Sequence, residues 1–487
     1  MNRSSRKFRT TLIRALVALI AAVPSTRAAA APTRPNIVFI MADDMGYGDL
    51  SCYGATKINT PHCDLLAREG RRFTDAHTPA ASCSPTRFGL LTGSYPWREN
   101  RVRGALNASE SYKLRDGEPT VASILKGAGY ATACVGKWHL GAQRNAPVDW
   151  NAALTPGPNT AGFDYYFGVI NSHNQAPFVL VENDHILGLK PGEKIAVKGD
   201  REQTEGPRLR DENALETTQV AKAVAFIETH RERPFFLYYP AAAVHDPYTP
   251  GKSWQGKSPA GVYGDYVQEF DWAVGEVLAR STGSSWRKKT IVVVTSDNGG
   301  QEGRGAAAGH KVNGDLRGAK GTAWEGGHRV PFLVRWPGKV AAGTASDETI
   351  CHVDFMATIC AALELPLPSN AGPDSWNVLP AWLGGPADPP LREATVCVGS
   401  NSFVYSIRQG PWKLLVTESG EYHEPRTGTK KDLKQTLPAP QLFDLASDPA
   451  EQRNLATTNP GKLQELTALL AKYRAQDHSR PGWQASR

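Results

Sequence analysis

The chain has 487 residues, 40% hydrophobic and 21% charged, a composition that excludes disordered and collagen-like classes and supplies a large core. Six of its seven net positive charges lie in residues 1–31, as Arg3, Arg6, Lys7, Arg9, Arg14 and Arg27 with no acid among them. The remainder is near neutral, so charge gives no reason to expect nucleic acid or an anionic membrane as partner.

Residues 1–31 read as a segment apart. A basic stretch, MNRSSRKFRTTLIR, leads to a short apolar run, ALVALIAAV, and then to small residues, PSTRAAAAP. The run is too short to span a bilayer. The order matches a secretory signal peptide, with a short membrane anchor as the other reading. The expectation is export to a periplasmic or extracellular space, or to a lysosome-like compartment in a eukaryote. No integral membrane segment is expected after signal removal.

Beyond it, PNIVFIMADD reads as a buried strand over Ile37–Met41 that runs into Asp43 and Asp44. NTPHCDLLAREGRRF reads as a helix with Thr60 as N-cap, Pro61 at the first position and Gly70 as the stop. ASCSPTRFGLLTG places Cys83 just before Pro85 and a helix, with Arg87 one turn in. PTVASILKGAGYATACVGKWHLG reads as helix, glycine turn and strand. RPFFLYYPAAAVHDPY is a strand entering a loop with His245, and KKTIVVVTSDNGG a strand ending in Asp297 and Asn298. VPFLVRWPG is a further strand and HVDFMATICAALEL a helix. Strands alternating with helices, several of them continuous apolar runs, predict an α/β fold: a mostly parallel sheet covered on both faces. Chemistry in such sheets sits at the carboxyl ends of strands.

Near residue 390 the pattern changes. FVYSIRQGPWKLLV predicts a β-hairpin around Gln409 and Gly410, TESGEYHEPRTGTKKDLKQ a polar loop, and QLFDLASDPAEQRNLA a strand and turn. PGKLQELTALLAKYRAQ predicts an amphipathic helix with Leu463, Leu466, Leu469, Leu470 and Tyr473 on one face. The expected organisation is therefore a signal at 1–31, a large α/β domain over 32–390, and a small C-terminal α+β domain over 391–487 with an antiparallel sheet and a packed helix.

Asp43–Asp44 and Asp297–Asn298 are adjacent polar pairs after strands. Either pair alone reads first as turn and cap chemistry. Together on one sheet edge they offer only carboxylate and amide oxygens, a set suited to a hard cation, Ca²⁺ or Mg²⁺. Lys137 and His139 stand two residues apart and point the same way on an extended chain. Lys320 lies in a glycine-rich loop, Arg87 near a helix start where anions bind well, and His245 in a proline-flanked loop. Each alone is more often a solvated side chain; collectively they describe an anion pocket beside a metal, fit for a phosphate or sulfate ester. Cys83 is one of seven cysteines, an odd number with no C-x-x-C spacing, so at least one thiol lacks an intrachain partner. An unmodified thiol at a helix N-terminus is one candidate nucleophile. A modified, oxygen-bearing cysteine suits the hard-cation partners better.

The segment CSPTRFGLLTG resembles the sulfatase signature C-x-P-x-R followed by an apolar pair and Thr-Gly. FIMADDMGYGDLSCYG, VGKWHLG, GFDYYFGVINSH, VTSDNGG and KGTAWEGGHRVPFLVRWPG resemble further blocks of that family, in family order, over roughly residues 35–480. The arylsulfatase A and N-acetylgalactosamine-6-sulfatase branch is the most similar. The resemblance implies an alkaline-phosphatase-like catalytic domain, with Cys83 oxidised to formylglycine by a maturation enzyme. Thr86 stands where serine is more usual and keeps a hydroxyl.

The resemblance further implies one Ca²⁺ held by Asp43, Asp44, Asp297, Asn298 and the modified Cys83. Arg87 and Lys137 would hold the hydrated aldehyde. Lys137 and Lys320 would bind sulfate oxygens, His139 a diol hydroxyl and His245 the leaving oxygen. Ser172 would contact substrate, and His173 beside it carries no assigned role. The implied activity is an exported sulfuric ester hydrolase acting on aryl sulfates or sulfated carbohydrates. Two other readings stay open: a phosphate or phosphonate ester hydrolase using the same aldehyde, and an inactive secreted protein that binds sulfated glycans.

Overall fold

The structure, a computed structural model, describes residues 34–280, 288–385, 388–400, 404–417, 421–424 and 435–484; the expected signal peptide lies outside them. Ten strands form one mixed sheet. In spatial order they are Thr344–Ser346, Arg71–Phe73, Phe332–Arg335, Thr290–Ser296, Asn36–Ala42, Phe235–Pro240, Ala131–Lys137, Tyr165–Val169, Val181–Glu182 and His185–Ile186. The Asn36–Ala42 strand is central, with parallel neighbours on both sides.

Its apolar run follows from burial on two faces. Ile37, Phe39 and Met41 enter one hydrophobic cluster, and Val38, Ile40 and Ala42 another on the opposite side. All are within 1% of complete burial, and each large side chain contributes roughly 1.5–3 kcal/mol relative to exposure. Phe332–Arg335 is a strand as expected, but it runs antiparallel to Thr290–Ser296. Short outer strands of two or three residues leave little edge to pair with another chain.

Thr60 precedes the Pro61–Glu69 helix and Gly70 follows it. The Thr60 hydroxyl accepts from the Ser51 amide at 2.8 Å and makes no cap bond within the helix. In the C-terminal part, Thr395–Gly399, Val404–Gln409, Trp412–Thr417 and Gln441–Asp444 form a four-stranded antiparallel sheet. Gly410 turns the expected hairpin at φ +55°. Helix Pro460–Ala475 buries Leu466, Leu469, Leu470 and Tyr473 against Val396, Ile407, Leu414 and Leu442. The polar segment expected as a loop holds a backbone ladder, Glu421–Glu424 paired antiparallel with Gln435–Pro438.

The small sheet turns its other face, with Val404, Leu415 and Phe443, onto Ala323 and Trp324, next to Lys320. Lys413 crosses that boundary fully buried, 2.9 Å from Glu325 and 2.8 Å from Glu451.

Glu216 lies under the segment that leads to His245. It accepts from the Tyr239 hydroxyl at 2.6 Å and from the Ala243 amide at 3.3 Å. Burial pushes its carboxyl up to about 7, and burial with the Glu216 charge pushes Glu269 up to about 8. A raised carboxyl costs the folded state nothing below its unfolded pKa and destabilises it as pH rises through the folded value. Glu216→Gln is therefore expected to flatten the fall in Tm between pH 5 and pH 8 by a few degrees. Thermal melts of both proteins across that range check this; parallel curves would contradict it.

Candidate active site

The sheet register brings four strand ends level. Met41 pairs with Pro240 and Ala42 with Ser296, so the residues that follow them emerge at one edge. The backbone tightens the junction: the Asp297 amide donates to Ala42 at 3.0 Å and the Asp43 amide to Ala243 at 2.8 Å. Lys137 ends the neighbouring strand. Gly136 before it has φ +138°, and a Cβ there would lie 1.9 Å from the Pro240 carbonyl oxygen, so glycine is required for this close approach.

Helix Cys83–Thr92 closes the edge. It begins at Cys83 itself, two residues earlier than Pro85 suggests, after an extended Ser82. All ten of its residues are buried, so no amphipathic stripe marks it. Asp44 and His139 take left-handed backbone, φ +66° and +57°, at a cost of roughly 1–2 kcal/mol each. Such strain concentrates at functional sites.

All eleven residues singled out in the sequence lie on this edge or the loops around it. The Asp44 amide donates to Asp297 Oδ1 at 3.1 Å, and Asn298 Nδ2 donates to Asp44 Oδ1 at 2.8 Å. The two acidic pairs are thus one cluster. Arg87 donates from Nε and Nη2 to Asp297 Oδ2 at 3.1 and 2.6 Å, and from Nη1 to the Lys137 carbonyl at 2.6 Å. Lys137 Nζ stands 2.6 Å from Asp43 Oδ2, and Lys320 Nζ 2.7 Å from Asp44 Oδ2. Donor atoms of Asp43, Cys83 and Asp297 lie within 4.8 Å of one another.

Two buried oxygens of this cluster, Asp43 Oδ1 and Asn298 Oδ1, accept no hydrogen bond. An orphaned buried oxygen is costly; Arg87 Nη2 stands 3.7 Å from Asp43 Oδ1, beyond hydrogen-bond distance. Three carboxylates and an amide, with two of their oxygens open, fit a hard divalent cation. Burial pushes Asp43 up, but Lys137, His245 and Arg87 outweigh it and hold that carboxyl well below its ordinary value. Burial and the charge of Asp43 push Asp297 up instead. Burial also pushes the Cys83 thiol up, against Lys137 and Lys320. This disfavours the thiolate that an unmodified-thiol nucleophile would need.

The histidines have definite tautomers when neutral. A carbonyl oxygen only accepts, so His139 Nε2 donates to Leu106 at 2.9 Å, and Nδ1 remains as a buried acceptor without a partner. Burial, with Lys137 and Arg87, keeps its pKa well below the ordinary value. His245 Nδ1 donates to the Asp246 carbonyl, and its Nε2 lies 3.6 Å from Asp44 Oδ2. Burial and then Lys320 lower its pKa. Ser172 Oγ is buried and unpartnered.

His173 belongs to the same place. A nitrogen of its ring, one of His245 and an oxygen of Asp43 lie within 4.8 Å of one another. Burial and then His245 push its pKa down to about 3. The sequence named it but gave it no role. The Leu106 carbonyl carried no signal, because it acts through backbone in an irregular segment.

A family model described as Sulfatase matches residues 35–365. The chain is 37% identical to the N-acetylgalactosamine-6-O-sulfatase of Bacteroides thetaiotaomicron, over 90% of this chain and 92% of that protein. It is 34% identical to human arylsulfatase A, over 93% and 89% of the two chains. A solved structure described under the metabolism of multiple glycosaminoglycans by Bacteroides thetaiotaomicron superposes with TM-score 0.85 at 34% identity, covering 91% of this chain and 100% of that one. The ten-stranded sheet and the small antiparallel sheet accordingly belong to one known architecture, the alkaline-phosphatase-like fold of the sulfuric ester hydrolases. The chain is a member of the sulfatase family.

Proposed function

We propose that the protein is an exported hydrolase of sulfate monoesters, of carbohydrates or aryl alcohols, that uses formylglycine made from Cys83 and one calcium ion. The single observation that carries this reading is the cluster in which unpartnered oxygens, three side-chain cations and the start of the Cys83 helix converge. Asp43, Asp44, Asp297, Asn298 and residue 83 would hold the ion. When bound, calcium supplies charge neutralisation for an anionic ester and acidifies a hydroxyl, and the hydrated aldehyde supplies that hydroxyl as nucleophile. Cys83 is 1% exposed, so its maturation enzyme must act before folding is complete. Export is supported by the basic, apolar and small-residue order of the first 31 residues. Among the described residues no helix is long and apolar enough to cross a membrane.

The chain's own groups divide the work. Three carboxylates, Asp43, Asp44 and Asp297, face three cations, Arg87, Lys137 and Lys320, so a divalent ion leaves the pocket net positive and attractive to sulfate. Arg87 is fixed from two sides and orients residue 83. Lys137 and Lys320 each spend one N–H on an aspartate and keep two for sulfate oxygens. His139 Nδ1, held as an acceptor by the Leu106 carbonyl, takes a proton from a hydroxyl on residue 83 when sulfate departs. Burial and then Lys320 disfavour the charged form of His245 in the free site; the negative charge of a bound ester raises its proton affinity. Its Nε2 then protonates the departing alcohol, with Lys320 as the other donor within reach. Ser172 Oγ contacts the substrate.

A side-by-side panel tests this reading. An aryl sulfate and an N-acetylgalactosamine 6-sulfate saccharide are expected to turn over faster than a phosphate diester or phosphonate monoester. Faster turnover of the phosphorus esters would replace the sulfatase reading. Glycan binding without turnover, with an intact thiol at Cys83, would identify a binding protein.

A further inference from the structure

His173 is 1% exposed, and its Nδ1 has no hydrogen-bond partner. Its Nε2 lies 3.1 Å from the Pro247 carbonyl oxygen. That oxygen can only accept, so Nε2 carries the proton and Nδ1 presents a bare lone pair. The ring stands edge-to-face on His245, with centroids 5.4 Å apart. Its position is built rather than incidental: Arg210 donates to the His173 carbonyl at 2.5 Å and is itself held by Glu212 at 2.8 Å.

A buried acceptor without a donor costs about 1–3 kcal/mol, and sulfate offers it nothing. Sulfate oxygens are acceptors too, and the side of the pocket that suits them is lined by Arg87, Lys137 and Lys320. His173 stands against His245, the histidine that faces the departing oxygen, and a nitrogen of its ring lies within 4.8 Å of an Asp43 oxygen, which is an acceptor too. The group that satisfies it must be a donor on the alcohol part of the ester.

We infer that His173 Nδ1 accepts a hydrogen bond from a substrate hydroxyl neighbouring the sulfate ester, and so selects polyhydroxylated alcohols, such as sugars or catechols, over simple aryl esters. This rests on the sulfatase reading above. It adds a substrate contact, and a discrimination of the kind in which a site built for a hydroxyl rejects the analogue lacking it.

Two chromogenic esters differ in this group. 4-Nitrocatechol sulfate carries a hydroxyl beside the ester, and 4-nitrophenyl sulfate does not. The readout is the ratio of their kcat/KM values within each protein, which is independent of the fraction that folds or matures. His173→Leu is expected to lower the ratio about tenfold or more. His173→Asn, whose side-chain oxygen can reach the position of Nδ1, is expected to recover part of it. An unchanged ratio in His173→Leu, with both esters slowed equally, would overturn the inference and leave His173 as a positioning residue for His245. A wild type that hydrolyses neither ester nor an N-acetylgalactosamine 6-sulfate saccharide would overturn the sulfatase reading, and the inference with it.

Discussion

Cys83→Ala is expected to abolish multiple turnover of sulfate esters, by about 10⁴-fold or more, while the protein still folds. The substitution removes one sulfur atom from a buried helix start, a small packing loss compared with removing the nucleophile. Cys83→Ser separates the roles of the two oxygens of the hydrated aldehyde. A serine hydroxyl in the same place can attack sulfur once, helped by the same cations. It has no second hydroxyl on that carbon, so no aldehyde can form to expel the sulfate. The expected result is one burst of alcohol, stoichiometric with enzyme, and a protein heavier by one SO₃. Sustained turnover by either variant, measured on 4-nitrophenyl sulfate beside the wild type, would remove Cys83 from the chemistry.

The second large effect concerns the cation. Asp43, Asp44 and Asp297 share one buried cluster, and Asp297 is pushed up by burial and by the Asp43 charge. Asp43 Oδ1 and Asn298 Oδ1 accept no hydrogen bond, and these residues would hold a divalent ion whose charge would offset that repulsion. Stripping the purified enzyme with a calcium chelator is therefore expected to lower activity at least about 100-fold, comparable to losing one strong electrostatic contact to the transition state. It is also expected to lower Tm. Calcium at a hundred times its dissociation constant adds about 2.7 kcal/mol to the stability of the folded state. Readdition restores both activity and Tm in the wild type and neither in Asp43→Asn. A melting temperature indifferent to calcium in the wild type would argue against the ion, whatever the activity does.

The parts of this site that the sequence made visible share a physical reason. A strand buried on both faces must be apolar throughout, so Ile37–Met41 and the run before Asp297 stand out, and polar residues at their ends stand out further. Parallel register then forces those ends together. The antiparallel direction of Phe332–Arg335 was invisible, because a fully buried strand has the same composition in either direction. The Leu106 carbonyl was invisible because any residue type supplies one. The sequence EYHE at Glu421–Glu424 carries no sustained apolar alternation to mark a strand. The buried Lys413–Glu325 pair joins residues 88 apart, and nothing local in the C-terminal sheet tells Lys413 from a solvated lysine. His173 stood in plain view beside Ser172; its meaning depends on which of its nitrogens Pro247 occupies, a matter of tertiary geometry.

The most direct measurement is the mass of the tryptic peptide around residue 83, taken from enzyme that is turning over sulfate ester. The account predicts that the Cys83 side chain has lost H₂S and gained one oxygen, leaving an aldehyde that reacts with a hydrazide probe. An active preparation in which that peptide retains its sulfur in full would contradict it.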